Sequence, residues 1–283
     1  MKTVTIDPDF QAWRSTARAL LAEKTHPDEV LWDSSLGGKE SLLSFDKPPQ
    51  IQSGAPRLQV PRQFVRLAEM VSCHRSGKQW AQLYKILWML TYDRDKDILQ
   101  DQTDSTMRSL ERMRATVSRD LHKMRAFVRF REVKADDCNR ENYVAWYEPE
   151  HLVLKINAPF FKKRFGGVNW SILTPDECVH WDGRQIRYSE GVQKSLAPDG
   201  DELEEYWLRY YRSTFNPARV KIKMMQSEMP KKYWKNLPEA EIIEELIHGS
   251  SDMVQEMMVE EQKSPKDSPE NAYLKSLKDL GQG

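Results

Sequence analysis

The sequence predicts an α+β fold: a helical N-terminal half packed on a small, mainly antiparallel sheet, with C-terminal helices after it. Apolar residues repeat at helical spacing over roughly the first 124 residues. The pattern then changes to the alternation of a strand, first in AFVRFREVK (126–134). Nine Trp, ten Tyr and nine Phe supply a sizeable core. We therefore expect one domain over residues 1–249, with its helical part over about 1–124 and its sheet-containing part over about 125–249.

The N-terminal elements begin with MKTVTI (1–6), whose alternation predicts a short strand. Asp7-Pro8-Asp9 is a good helix start, and the apolar residues after it follow helical spacing as far as His26-Pro27. Residues 34–61 are rich in Gly, Ser and Pro, which predicts a long loop. Two helices follow Pro61, and Asp104 is expected to cap a third.

The remaining elements are four strands and a helix. The strand candidates are 126–134, 143–147, 151–156 and 185–188. A helix over 203–215 is expected to stop at Asn216-Pro217. Residues 250–283 are rich in Lys, Glu, Ser and Pro and are expected to form an acidic linker or tail.

Several classes of protein are disfavoured by composition and motif. The three cysteines are far apart and form no CxxC pair, which argues against a disulfide framework and a zinc ribbon. The sequence has no Walker loop, GxGxxG turn, HExxH helix or GxSxG elbow. It also lacks an apolar signal region and any stretch long enough to span a membrane. We expect a cytoplasmic protein without a membrane partner.

The formal net charge of zero conceals an uneven distribution. Residues 107–134 carry nine Arg or Lys against three Asp or Glu, and residues 206–235 carry eight against one. From residue 239 onward, eleven acidic residues face four basic ones. Both basic blocks contain aromatic residues, and this combination suits phosphates and unpaired bases. A solvated helix face with inward aromatics is the alternative that the pattern leaves open.

Three neighbouring pairs of imidazole and carboxylate are the candidates for chemistry, in RDLHK, EPEH and HWDG. A carboxylate that orients an imidazole makes a general base, and the same pair can bind a metal. The alternative is that these are satisfied polar pairs at strand ends. No cofactor is predicted, and a divalent metal at these side chains is the less favoured hypothesis. The candidate catalytic residues are Asp120, His122, Glu148, Glu150, His151, His180 and Asp182.

Six strings in order resemble a bacterial family associated with DNA metabolism and DNA repair. They are RDLHKMRAFVRFRE (119–132), WYEPEH (146–151), APFFKKRF (158–165), WSILTPDECVHWDG (170–183), YYRSTFNPAR (210–219) and EMPKKYWKNLPEA (228–240). Such domains occur beside a radical SAM protein of DNA modification, or fused ahead of a uracil-DNA-glycosylase-like domain. The resemblance implies either the stand-alone form or a piece that ends at the linker. It implies no catalytic residues.

The leading hypothesis is a DNA-binding accessory module that acts with such a glycosylase-like or radical SAM partner. Its phosphate contacts would come from Arg125, Arg129, Arg131, Lys163, Arg164 and Arg219. One rival is an enzyme that acts on a damaged or modified base or nucleotide through the imidazole–carboxylate residues. The other is a protein–protein adaptor whose acidic tail binds a basic partner. Whether the protein is an enzyme stays undecided by the sequence.

Overall fold

The computed structural model of the protein describes residues 1–34, 59–95, 97–133, 141–196 and 222–237, together with 239–240 and 242–243. Helices and strands mix as the α+β prediction expects. The chain divides into two compact units, 1–201 and 202–283. The predicted domain over 1–249 and the predicted tail after it stay predictions.

The helical part begins with a strand, as expected. Strand β1 (Lys2–Thr5) pairs in parallel with β2 (Val30–Asp33), and helix α1 (Phe10–Ala22) lies between them in the chain. Asp9 caps α1 because its carboxylate accepts from two backbone amides of the first turn, at 2.8 and 3.2 Å. This cap confirms the predicted helix start.

Three further helices of ten residues or more complete this part. They are α2 (Arg62–Ser72), α3 (Gln79–Trp88) and α4 (Ser105–Phe127). Asp104 accepts from the amide of Met107 at 2.7 Å and so caps α4, as predicted. Helix α4 packs against both α2 and α3. At 23 residues, α4 is longer than α1, α2 and α3.

Aromatic side chains from different elements meet in the core of the helical part. The indole of Trp13 in α1 donates to the carbonyl of Trp80 in α3 at 3.2 Å, and the hydroxyl of Tyr84 donates to the carbonyl of Thr25 at 2.8 Å. All three aromatic side chains are at most 2% exposed. Because these side chains are buried, the predicted aromatic stripe is core.

Five strands form the second sheet, in the order β3 (Arg131–Val133), β4 (Asn142–Trp146), β5 (Asn169–Leu173), β6 (Glu177–Trp181) and β7 (Ile186–Glu190). Only the β4–β5 pair is parallel, so the sheet is mainly antiparallel. Helix α5 (Leu154–Arg164) lies between the parallel strands in the chain and packs against β6.

Two predicted strands differ from the structure. The strand expected over 126–134 begins only at Arg131, because α4 continues to Phe127 with Leu121 and Met124 buried one turn apart. The strand expected over 151–156 is wrong, because α5 begins at Leu154. The run HLVLKIN fits either period, and the buried residues Leu154, Ala158 and Phe161 select the helix.

The other strand predictions are confirmed to within two residues, at β1, β4 and β7. Most of the predicted loop over 34–61 and the whole predicted helix over 203–215 lie outside the described residues. None of the helices in the described ranges is long and apolar enough to cross a membrane.

The second unit is described for two short helices, α6 (Ile222–Glu228) and α7 (Lys231–Trp234). The indole of Trp234 donates to the carbonyl of Met229 at 3.0 Å, which fixes the turn between them. Tyr233 and Trp234 are buried, and Lys231 and Lys232 lie over their rings. These aromatics of the second basic block are therefore not exposed stacking surfaces.

Truncating the core of α1 should measure how strongly the helical part depends on it. Leu20 is 1% exposed, so Leu20→Ala should lower the free energy of unfolding by about 2 to 5 kcal/mol through reduced burial and a new cavity. Urea denaturation measures this change. Leu31→Ala is the control, since Leu31 is 51% exposed and should change stability by under about 0.5 kcal/mol. Equal losses for both variants would contradict the packing described for α1.

Candidate functional site

A basic and aromatic surface forms where α4 and α5 end. We call it the α4–α5 basic surface, made of Arg125, Phe160, Lys162, Lys163, Arg164 and Phe165. The guanidinium of Arg125 lies over the ring of Phe160, 4.7 Å from its centroid, and that of Arg164 lies 6.0 Å from the centroid of Phe165. The two phenylalanines are 38% and 36% exposed. Planar cations and aromatic rings are thus presented together to solvent.

The local sequence explains why these side chains point outward. In FFKKR, Phe161 is the residue that α5 buries, 2% exposed, against Phe130 and Trp170. Phe160 and the three cations after it therefore fall on the outer side of the helix. Cations in the last turn are favourable beside the free carbonyls of a helix end. Burial of one phenylalanine thus sets the exposure of its neighbours.

Asn157 holds α5 against α4. Its side-chain oxygen accepts from Nε of Arg125 at 2.6 Å, and its nitrogen donates to the carbonyl of Leu121 at 3.3 Å. The Asn157 side chain is fully buried, so its contacts are shielded from water. Arg125 is consequently fixed at one edge of the surface.

The cations of this surface carry uncompensated charge. Among the described residues, Arg125, Lys162, Lys163 and Arg164 form no ion pair with a carboxylate. Lys162 instead lies 4.6 Å from the ring centroid of Trp181. A positive field without neighbouring acids attracts anions such as phosphates.

The structure brings together three of the six predicted nucleic-acid residues: Arg125, Lys163 and Arg164. Arg131 is the first residue of β3, and the ring of Phe130 before it packs against Phe161 of α5. Nη1 of Arg129 donates to the carbonyl of Ala126 at 2.7 Å, so this arginine closes the end of α4. Arg219 lies outside the described residues. Lys162 was not among the residues predicted from the sequence, although the run of cations after Phe160 and Phe161 already indicated it.

A second polar cluster joins the α2–α3 loop to the segment before α5. The imidazole rings of His74 and His151 stack, 4.5 Å apart at their centroids and 30° from parallel. The backbone amide of His151 donates to the carboxylate of Asp120 at 2.8 Å, and Asp120 is 1% exposed. Asp120 and His151, which the sequence placed in two different imidazole–carboxylate pairs, do meet. The carboxylate, however, binds the backbone of His151, which positions the segment.

Arg75 is the centre of this cluster. Its guanidinium donates two hydrogen bonds to the carboxylate of Asp176, at 2.7 and 2.6 Å, and a third to the backbone carbonyl of Glu150 at 3.0 Å. Such paired contacts match the geometry of a carboxylate. The sequence analysis missed His74, Arg75 and Asp176, because the partners of Arg75 are 75 and 101 residues away in the chain.

The surroundings of the two histidines in this cluster lower their pKa values and so favour the neutral imidazoles. Burial lowers the pKa of His151, and the nearby positive charge of Arg75 lowers it further. Burial lowers the pKa of His74, and the neighbouring His151 lowers it further. Beside them, burial raises the pKa of the Cys73 thiol to about 11, so this cysteine is protonated at neutral pH and is not an activated nucleophile.

The other predicted catalytic residues have separate partners. Glu148 accepts from the indole of Trp146 at 3.0 Å, and His122 is exposed on α4. His180 lies between the hydroxyls of Ser171 and Ser189, at 2.8 and 2.9 Å.

Asp182, two residues after His180, caps the β6–β7 turn by accepting from two backbone amides at 2.9 and 2.8 Å. This carboxylate therefore makes turn contacts in place of the expected pair with His180. The catalytic role of the seven predicted residues stays a prediction. Within the described ranges, no group of three or more His, Cys, Asp or Glu side chains could hold a metal ion.

A comparison with family models identifies the family to which the chain belongs. A model described as a domain of unknown function, DUF4130, matches residues 77–239. Because the match spans more than half of the chain, the chain belongs to this family. The matched range contains α3, α4, α5 and the five-stranded sheet, and thus the α4–α5 basic surface. No curated protein and no solved structure matches the chain.

Removing one partner of the Arg75–Asp176 ion pair should destabilise the first unit. Asp176→Asn leaves a half-buried guanidinium with a weaker acceptor, and should lower the free energy of unfolding by about 1 to 3 kcal/mol. Urea denaturation at neutral pH measures this loss. The matched control is Glu23→Gln, which breaks the exposed pair with Lys2 and should cost less than about 1 kcal/mol. A larger loss for the control would contradict the assignment.

Stability should also depend on pH through the stacked histidines. The pKa values of His74 and His151 are lowered in the folded chain from about 6.5, so below that pH the unfolded chain binds protons that the folded chain does not. The urea midpoint should therefore fall as the pH drops from 7 to 5. His74→Gln/His151→Gln should show a smaller fall, whereas His122→Gln should match the wild type. Identical pH profiles for all three proteins would rule out this origin.

Proposed function

We propose that this protein is a DNA-binding accessory module of DNA metabolism, and that the α4–α5 basic surface binds single-stranded DNA. One observation carries the proposal: of four exposed cations without a carboxylate partner in the described residues, two guanidiniums lie over exposed phenylalanine rings. Phosphates require the cations, and unpaired bases require the rings.

The geometry favours an unpaired strand over a duplex. A base can stack on a phenylalanine, or on the guanidinium that already covers the ring, only if its face is free. Stacking of this kind contributes about 1 to 3 kcal/mol per base.

The partner proposal rests on the resemblance of the sequence to DNA-metabolism proteins. The strings at 119–132 and 158–165 contain the residues of the α4–α5 basic surface. An accessory that holds a single strand would assist a uracil-DNA-glycosylase-like or radical SAM enzyme, because such enzymes need the target base out of the stack. We therefore propose a partner of that class.

Neutralising the last turn of α5 tests the proposal. The variant Lys162→Gln/Lys163→Gln/Arg164→Gln should bind a fluorescent single-stranded oligonucleotide at least tenfold more weakly than the wild type at low salt. Its log–log salt slope should be shallower by about 0.7 for each phosphate that the variant no longer neutralises. Fluorescence anisotropy over a range of salt concentrations measures both quantities.

The matched control removes three charges elsewhere. Lys24, Lys78 and Lys85 are exposed and lie outside the α4–α5 basic surface. The variant Lys24→Gln/Lys78→Gln/Lys85→Gln removes three positive charges and therefore has the same net charge as the test variant. It should bind as the wild type does. If the wild type binds no oligonucleotide at low salt, or if both triple variants lose affinity equally, the proposed surface is wrong.

A further inference from the structure

A cavity of about 380 Å³ lies between α1 and α2, on the helical part of the first unit. Its walls are mainly apolar, with Phe10, Trp13 and Leu21 from α1, Phe64 and Val65 from α2, and Leu87 from α3, while Gln59 before α2 adds a polar amide. The rings of Trp13 and Phe64 are 6.4 Å apart and tilted by 53°. An apolar space of this size is within the usual range for small-molecule sites.

Two arginines also line this cavity. Arg14 and Arg18 are one helical turn apart on α1, and their side chains therefore lie on the same face. Neither forms an ion pair with a carboxylate in the described residues. Helix α1 contains no acidic residue between Phe10 and Ala22. Among the described residues that line this cavity, the charged ones are thus both positive.

We propose that this cavity binds a small amphipathic anion, with an apolar body between α1 and α2 and a carboxylate or similar group on Arg14 and Arg18. The apolar walls offer few partners for the polar edges of a nucleobase, which favours an aliphatic or simple aromatic body. Two guanidiniums one turn apart suit an oxyanion, which accepts from both.

The size of the cavity supports a small ligand over a protein partner. Its volume corresponds to a molecule of modest size, whereas a stable protein interface buries about 800 Å² on each partner. All of its wall residues except Leu87 precede the matched range 77–239. The site therefore belongs to the N-terminal part of this chain, outside the α4–α5 basic surface.

Three probes with the same ten-carbon body separate the contributions. Decanoate, decanol and decyltrimethylammonium are titrated into the full chain by calorimetry, with tryptophan fluorescence as a second readout at Trp13. Decanoate should bind with one site per chain. Decanol and the cation should bind at least tenfold more weakly, because they lack the group that the arginines recognise.

Two variants locate the site. Arg14→Gln/Arg18→Gln keeps the cavity and removes the charge, and should weaken decanoate at least tenfold. Val65→Phe fills part of the cavity and should do the same. Lys78→Gln/Lys85→Gln, which removes two charges elsewhere, should bind as the wild type does. Circular dichroism shows whether each variant is folded. If Val65→Phe does not fold, the decanoate affinity of Arg14→Gln/Arg18→Gln alone tests the proposed site.

Several outcomes would overturn the proposal. They are no binding of decanoate, equal affinity for decanol, or unchanged affinity in the arginine variant. Displacement of decanoate by a single-stranded oligonucleotide would assign the arginines to DNA and would also overturn it. Loss of DNA binding in the α5 variant bears only on the other surface, so the two proposals fail separately.

Discussion

The α4–α5 basic surface depends on one fully buried side chain, that of Asn157. Its amide connects α5 to α4 through the carbonyl of Leu121 and the guanidinium of Arg125. A buried amide deprived of such partners would destabilise the fold by about 1 to 3 kcal/mol. Since both contacts lie within helices, the surface is positioned by helix packing and not by a loop. The proposed DNA contacts are therefore arranged before any ligand arrives.

Helix α4 positions two clusters at once. Asp120 holds the backbone of His151, and five residues further on Arg125 contacts Asn157. Both contacts are made to the stretch of chain that leads into α5 and forms its first turn. This geometry connects the neutral histidine pair to the basic surface through a rigid element, so a change at one cluster has a physical route to the other. The buried carboxylate of Asp120 thus has an explained structural function, whatever chemistry the pair performs.

Much of the fold could be predicted from the sequence because local signals dominate it. Asp9 and Asp104 predict helix starts that the structure confirms, since a cap needs only its own first turn. The segment 151–156 was wrongly predicted to be a strand, because a short apolar run fits two periods and burial selects the helix. Strand β2 has no alternating pattern of its own, and its pairing with β1 is decided by the helix between them.

In the candidate sites too, contacts set by local sequence could be predicted and contacts between distant residues could not. The cations after Phe161 were predictable, because one buried phenylalanine in a helix fixes the direction of its neighbours. The pairs chosen by proximity in sequence were less informative: Asp182 satisfies its own turn amides before it can reach His180. Arg75 and Asp176, 101 residues apart, form the bidentate contact that no local pattern indicates. Asp182 accepts from the amides of its own turn, whereas Asp176, in the turn between β5 and β6, accepts from an arginine that the fold brings from the α2–α3 loop.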